Sequence, residues 1–159
     1  MTYKVEKKLD GYSICFRQWQ ATHSHCQFLH GYSISFKLYF EAEQLDQHNW
    51  VWDFGWLKDA KYQIDGMSAK AWFDYMFDHT TIIAADDPQL ETFKQLDKQG
   101  VIQLRVIPKQ SCERMAEFVY EKIAALVSTF SNNQARLTRV DVFEHDRNCA
   151  GYQKAHQSR

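Results

Sequence analysis

Two alternating segments, joined by a short polar stretch, constrain the fold of this chain more than any other feature. Large apolar side chains occupy every second position of residues 12–16 and again of residues 34–40. Such alternation predicts β-strands with one packed face. Because so few residues connect the two segments, we expect them to pair antiparallel.

The rest of the chain alternates between helical and strand patterns. Helical apolar spacing follows three polar residues that can start a helix: Asp53, Asp87 and Ser111. The first run is interrupted at Gly66, so it is either one long helix or two that abut. Residues 101–107 and 137–144 read as two further strands. This order predicts an α+β domain with helices covering one face of a mainly antiparallel sheet.

Size and composition narrow the class of protein. The 159 residues suit one domain spanning residues 1–159, and a net charge of −1 gives no reason to expect nucleic acid or an anionic membrane as partner. No apolar run is long enough to span a membrane, and the first residues carry no apolar signal region. The four cysteines form no CxxC pair, which favours reduced thiols in the cytoplasm.

A thiol and three imidazoles fall within eight positions at the junction of the two predicted strands: His23, His25, Cys26 and His30. Three neutral imidazoles with one open position suit a catalytic Zn²⁺, which can polarise a substrate oxygen. Cys26 can serve there as a base. The alternative is a histidine-rich turn without a metal. His48, His145 and His156 have no partner pattern and are interpreted as surface residues.

Six local patterns follow one another along the chain: A-T-H at 21–23, C-Q-F-L-H-G at 26–31, V-W-D-F-G-W-L-K at 51–58, F-D-H at 77–79, S-C-E at 111–113 and E-(x)5-A-x-Y at 144–152. Together they resemble the 6-pyruvoyl-tetrahydropterin synthase and 6-carboxytetrahydropterin synthase family. That family's patterns run A-x-H, C-x-x-x-H-G-H, V-x-D-F-x-x-L-K, L-D-H, P-T-x-E and E-(x)5-A-x-Y. The resemblance covers nearly the whole chain.

The resemblance implies a tunnelling fold, with a four-stranded antiparallel sheet and helices packed on one face. It also implies subunits joined edge to edge into a barrel, as a trimer or hexamer. The implied activity is that of a lyase that converts the small molecule 7,8-dihydroneopterin triphosphate to 6-carboxy-5,6,7,8-tetrahydropterin, in queuosine biosynthesis. One alternative is 6-pyruvoyl-tetrahydropterin synthase; another is a non-catalytic protein that binds a pterin or purine.

The family's site residues map onto this chain in three groups. The resemblance assigns catalysis to Cys26, Asp78 and His79, and substrate binding to Glu144, Ser111 and Cys112. It assigns zinc to His23 and His30, and we predict His25 as the third ligand. Each role has a simpler alternative: a packing thiol at Cys26, a turn at Asp78-His79, an ion pair of Glu144 with Arg139 or Arg147, and a helix cap at Ser111.

Two departures concern the metal. The family's third histidine is Tyr32 here, and only Ser24 and His25 separate the first histidine from Cys26. His25 lies two residues from His23, so both rings point to one side if the backbone is extended, and His25 can fill the missing position. Tyr32 is otherwise an oxygen ligand or a hydrogen-bonding partner, although a phenol is a poor ligand at neutral pH. A subgroup that has lost its metal is the remaining alternative.

Large side chains stand on both faces of the predicted strands, for example Phe36 and Tyr39. A monomer would then expose more apolar surface than soluble monomers usually do, in addition to its strand edges. Self-association is therefore expected from the residues as well as from the resemblance.

Overall fold

A computed structural model describes residues 1–155. In that range the strands are β1 (Tyr3–Phe16), β2 (His30–Ala42), β3 (Gln63–Ile64), β4 (Met67–Ser68), β5 (Thr80–Ala84), β6 (Leu104–Ile107), β7 (Ala135–His145) and β8 (Asn148–Tyr152). The α-helices are α1 (Ala69–Phe77), α2 (Leu90–Lys98) and α3 (Cys112–Phe130), and 3₁₀ turns occupy His25–Gln27 and Phe54–Lys58. None of these helices is long and apolar enough to cross a membrane.

Six strands form the main sheet in the order β6-β5-β1-β2-β7-β8. The predicted hairpin is present: β1 and β2 pair antiparallel from Tyr3 opposite Ala42 to Phe16 opposite His30. The α+β class is also confirmed, but the expected four-stranded antiparallel sheet is wrong. β5 and β8 add two strands, and β5 pairs parallel with both β1 and β6.

The missed strand β5 has a physical explanation. All five of its residues are buried, so the segment lacks the alternation that marks a half-exposed strand. The other missed strand, β8, is only five residues long and mostly exposed. Neither segment carries a period-two pattern that sequence reasoning can detect.

The helix predicted after Asp53 is also wrong in extent. Asp53 does accept a hydrogen bond from the Gly55 N–H at 2.8 Å, but the turn it caps ends at Lys58. A small hairpin of β3 and β4 follows, and its turn at Asp65 and Gly66 has positive φ at both residues. The 3₁₀ turn and the hairpin both pack on the core, and their apolar residues together have the spacing that predicted a single helix.

The hydrophobic core lies between the sheet and the helices α1 and α3. Phe36 of β2 packs against Phe73 and Phe77 of α1, with ring centroids 5.3 and 4.6 Å apart. α3 packs on β7 and β8 through an apolar stripe that includes Met115 and Val119. These helices hold one sheet face out of water, which contributes most of the free energy of folding.

The opposite face of the sheet is mainly polar, although it also carries two of the large side chains expected on both faces, Tyr39 and Phe143. Tyr39 does point to this face, but its hydroxyl donates to the buried carboxylate of Asp141 at 2.9 Å. Arg139 donates to the same carboxylate at 2.5 Å, and Lys37 pairs with Glu6 at 2.8 Å. Paired charges of this kind tolerate water.

One buried ion pair fixes the chain where β1 ends. Asp87, whose side chain is fully buried, accepts from Arg17 Nε at 2.8 Å and from Arg17 Nη2 at 3.0 Å. It also accepts from the Gln89 N–H at 2.8 Å. The pair therefore ties the segment that follows β1 to the turn between β5 and α2.

We expect Asp87→Ala to lower the free energy of unfolding by about 3 kcal/mol, because it leaves the Arg17 guanidinium partly buried without its partner. Urea denaturation measures this. The matched control is Glu91→Ala, which removes an exposed pair with Lys94 and should change stability by less than about 0.5 kcal/mol. Equal effects of the two substitutions would contradict the structural role of Asp87.

Candidate active site

The candidate site lies where β2 begins, β7 ends and α3 begins. The hairpin register sets His30 opposite Phe16 and Tyr32 opposite Ile14. The rings of Phe16 and His30 are 4.6 Å apart, and those of His30 and Tyr32 are 5.5 Å apart. His145, which the sequence placed at the surface, is exposed but packs edge-on against Tyr32 at 6.3 Å.

Tyr32 lies in the candidate site between two other rings, those of His30 and His145. Burial raises the pKa of Tyr32, and the charge of Glu144 raises it further. At neutral pH the phenol keeps its proton, so it is suited to donate a hydrogen bond rather than to bind a cation as phenolate.

Glu144 faces the packed side of the sheet, as predicted. Val140 and Val142, at alternate positions before it on β7, are fully buried. The Glu144 carboxylate accepts a hydrogen bond from the Cys112 thiol, with Oε1 3.3 Å from Sγ. Within residues 1–155 no ion pair includes Glu144; Arg139 pairs with Asp141 instead. The ion-pair alternative is thus not what the structure contains.

Ser111 lies beside Cys112 but uses its hydroxyl locally. Ser111 Oγ accepts from the Arg114 N–H at 3.0 Å and caps α3, as the sequence predicted. Capping accounts for the hydroxyl. A role for Ser111 in substrate binding stays a prediction.

The predicted zinc ligands are not assembled. Residues 21–27 form consecutive turns, in which the Ser24 N–H donates to the Ala21 carbonyl at 3.0 Å. The extended backbone that would align His23 with His25 is therefore absent, and both side chains are exposed. In the part of the chain that the structure describes, no three His, Cys, Asp or Glu side chains are arranged to hold a metal.

Of the three predicted zinc ligands, His30 has the local geometry of a metal ligand. Its Nδ1 lies 2.7 Å from the Phe28 carbonyl, which favours a proton on Nδ1 and leaves Nε2 with a free lone pair. The donor set of three imidazoles suits zinc chemically. Zinc binding by His23, His25 and His30 therefore stays a prediction supported by ligand type and by the His30 hydrogen bond. His156 lies outside the described residues.

Asp78 and His79 form the expected pair at the start of β5. His79 Nδ1 is 2.8 Å from Asp78 Oδ1, and both side chains are exposed. Thr80, the next residue, lies opposite Ile14 of β1, and Ile14 lies opposite Tyr32 of β2, so one strand separates the pair from Tyr32. Among residues 1–155 no hydrogen bond, ion pair or ring contact joins the pair to Tyr32 directly.

The backbone of His79 is unusual. Its φ is 55°, in the left-handed region that a residue with a Cβ rarely adopts, and its carbonyl accepts from Gln103 Nε2 at 3.1 Å. Strained residues of this kind concentrate at functional sites. The observation favours a functional role for the pair over a simple turn.

The Cys112–Glu144 contact is the feature that sequence reasoning missed. The two residues are 32 positions apart, and only the packing of α3 on β7 brings them together. A partial signal was present, since Cys112 follows a helix cap and Glu144 ends an inward-facing strand pattern. Nothing in the sequence gives the angle at which helix and strand meet.

The model of the family described as 6-pyruvoyl tetrahydropterin synthase matches residues 4–155. The chain therefore belongs to this family. Among curated relatives, the 6-carboxy-5,6,7,8-tetrahydropterin synthase of Rickettsia felis is 37% identical over 65 residues, which is 41% of each chain. The protein with the same name from Rickettsia bellii is 28% identical over 120 residues, covering 75% of this chain and 78% of the relative.

Solved structures agree with the fold. An uncharacterized protein from Wolinella succinogenes superposes with a TM-score of 0.78 at 18% identity, covering 98% of this chain and 99% of its own. The 6-pyruvoyl tetrahydropterin synthase of Caenorhabditis elegans gives a TM-score of 0.63 at 19% identity, covering 98% and 97%. At such identities the likeness concerns the fold alone.

The strain at His79 can be measured directly. We expect His79→Gly to be more stable than His79→Ala by about 1 kcal/mol, because only glycine adopts a φ of 55° without a Cβ clash. Chemical denaturation of the two variants gives the difference. As a control, Ala125→Gly at an exposed position in the interior of α3 should go the other way and lose about 1 kcal/mol. Equal stability of the two His79 variants would contradict a strained backbone.

Proposed function

We propose that this protein is a cytoplasmic, zinc-dependent lyase that converts 7,8-dihydroneopterin triphosphate and water to 6-carboxy-5,6,7,8-tetrahydropterin, acetaldehyde and triphosphate. This is a step toward queuosine, and the product gives the Rickettsia felis and Rickettsia bellii relatives their names. The observation that carries the proposal is Glu144: a carboxylate on the packed side of β7 with a thiol as donor and no ion pair within residues 1–155.

Glu144 would recognise the pterin ring. The 2-amino group and N3–H of a pterin form an edge with two donors, which a carboxylate can accept in a bidentate way. Tyr32, held in its protonated form, would donate a hydrogen bond to the same ligand. A pterin would then satisfy a carboxylate whose one hydrogen-bond donor among residues 1–155 is Cys112.

Cys26 and the Asp78–His79 pair would move protons. Cys26, in the turn that precedes β2, would act on the side chain of the bound pterin. Asp78, 2.8 Å from His79 Nδ1, would fix the tautomer that leaves Nε2 to exchange a proton. Among residues 1–155 no hydrogen bond or ion pair joins Cys26 to this pair, and the pair of one subunit would act with Cys26 of another.

His23, His25 and His30 would hold the zinc ion. When bound, zinc would supply a Lewis acid that polarises the hydroxyl oxygens of the substrate side chain. His30 supports this through its Nδ1 contact with the Phe28 carbonyl, which orients the ring and leaves Nε2 for the metal.

Two other functions remain as candidates. Elimination of triphosphate alone would give 6-pyruvoyl-tetrahydropterin, and the same residues would serve. A non-catalytic protein that binds a pterin or purine is favoured by Tyr32, which replaces the family's third histidine at the metal. Incubation with 7,8-dihydroneopterin triphosphate distinguishes the three functions, because they give the carboxy product, the pyruvoyl product or no product.

We expect purified protein to turn 7,8-dihydroneopterin triphosphate into 6-carboxytetrahydropterin, which mass analysis identifies. Cys26→Ala should retain substrate binding and form no product. Glu144→Gln replaces an accepting oxygen by a donor facing the N–H edge, and should weaken binding by about 2–4 kcal/mol. Absence of any product from the unsubstituted protein, with intact pterin binding, would favour the non-catalytic function; full activity of Cys26→Ala would remove that thiol from the reaction.

Metal content tests the zinc ligands separately from turnover. Protein purified without chelator should hold one zinc ion per chain, and alanine at His23, His25 or His30 should each reduce it sharply. Tyr32→Phe should keep its zinc, because a protonated phenol is a poor ligand. Full zinc in His25→Ala together with loss in Tyr32→Phe would show that His25 does not replace the family's third histidine.

Assembly can be tested by complementation. The main sheet ends in the edge strands β6 and β8, which can pair with neighbouring copies. We expect light scattering to report a trimer or hexamer. Equal amounts of the Cys26→Ala and His79→Ala variants, dissociated and reassembled together, should recover about a quarter of the activity through sites that receive both intact groups. An active monomer would contradict both the assembly and the shared site.

A further inference from the structure

Cys112 occupies an unusual place for a cysteine that the resemblance assigns to substrate binding. It is the first residue of α3 and its side chain is buried, with 5% of its surface exposed. Its sulfur lies 3.3 Å from Glu144 Oε1. A carboxylate can only accept at neutral pH, so the thiol is the donor in this contact.

We propose that Cys112 is a positioning residue, whose thiol holds Oε1 of Glu144 so that the carboxylate faces the N–H edge of a bound pterin. Cys112 then acts through Glu144 and does not touch the substrate itself. This inference rests on the proposed function, since it assigns a role within the same site.

The surroundings keep the thiol in its donor form. Burial raises the pKa of Cys112, and the charge of Glu144 together with the hydrogen bond between them raises it further. The sulfur therefore retains its proton at neutral pH. Cys112 is thus unsuited to be a nucleophile or base, in contrast to the role assigned to Cys26.

Glu144 needs such a partner because other restraints on its side chain are few. A glutamate has three rotatable side-chain bonds, and within residues 1–155 no arginine, lysine or histidine forms an ion pair with it. The first turn of α3 adds a favourable field for a negative charge, but a field does not select a rotamer. The thiol is the contact that fixes where one oxygen lies.

The contact also leaves room for the ligand. An ionised carboxylate offers about four lone-pair directions, and the thiol uses one of them on Oε1. Two donors from a pterin can therefore still bind the same group. A carboxylate already oriented in the free protein loses less side-chain entropy when the ligand arrives, which increases affinity.

Three substitutions separate hydrogen bonding from packing at this position. Cys112→Ser keeps a donor, Cys112→Ala removes both donor and volume, and Cys112→Val removes the donor but refills the space. We expect the serine variant to bind pterin nearly as tightly as the unsubstituted protein, and the alanine and valine variants about tenfold more weakly. In turnover the same loss should appear in KM, with kcat little changed.

A second ligand, lumazine, tests the orientation of the Glu144 carboxylate specifically. Lumazine carries an oxygen in place of the pterin 2-amino group, so an oriented carboxylate should reject it. The preference for pterin over lumazine, measured by equilibrium titration, should fall in the alanine and valine variants and be restored in Cys112→Ser. A general loss of packing would weaken both ligands alike and leave the preference unchanged.

The matched control is Cys149→Ser, which alters an exposed thiol on β8 and should change neither affinity nor preference. Pterin binding by the unsubstituted protein with unchanged affinity and preference in Cys112→Val would overturn the positioning role alone. Failure of the unsubstituted protein to bind pterin would overturn the proposed function and this inference together. If Cys112→Ala folds poorly, the valine and serine pair carries the comparison.

Discussion

The rest of the structure depends on the antiparallel pairing of β1 with β2. The ladder runs from Tyr3 opposite Ala42 to Phe16 opposite His30, and β5 and β7 pair with its two outer sides. Its last rungs are close: a Cβ at Gly31 would meet the Ile14 carbonyl oxygen at 2.9 Å. Glycine there lets the backbones approach, and this approach sets His30 and Tyr32 at the edge of the core where Glu144 arrives from β7. The hairpin therefore organises both the core and the candidate site.

Sequence reasoning recovered the parts of the fold that carry a periodic signal. The hairpin, the capped helix α3 and the strand β7 each have one packed face, and the spacing of their apolar residues indicates which face is packed. The predictions were wrong in segments whose structure is set by tertiary packing and whose sequence has no matching periodic pattern. β5 is buried on both faces, and the segment after Asp53 is a 3₁₀ turn followed by a small hairpin rather than a helix. In both cases tertiary contacts, not local preference, decide the structure.

The candidate site divides in the same way. The inward direction of Glu144 follows from strand alternation, and the capping role of Ser111 follows from its chemistry. By contrast, the conformation of the histidine segment is set by turns that bend the chain at Ala21 and Ser24. The distance of Asp78–His79 from Tyr32 reflects strand order, which no single pattern encodes. The sequence therefore allowed individual candidate residues to be predicted. Which of them lie close together depends on the topology of the sheet, and the sequence pattern did not reveal it.

The polar face of the sheet constrains how this sequence can change over evolutionary time. Asp141, with 3% of its surface exposed, is held between Tyr39 and Arg139, and a Cβ at Gly151 would collide with the same carboxylate. Loss of any one partner leaves a buried charge or a crowded backbone, whereas a coordinated exchange can restore the balance. Substitutions at these four positions, which lie on three strands, are therefore coupled. Drift at 39, 139, 141 and 151 should be correlated among descendants of this chain, even though none of these side chains belongs to the candidate site.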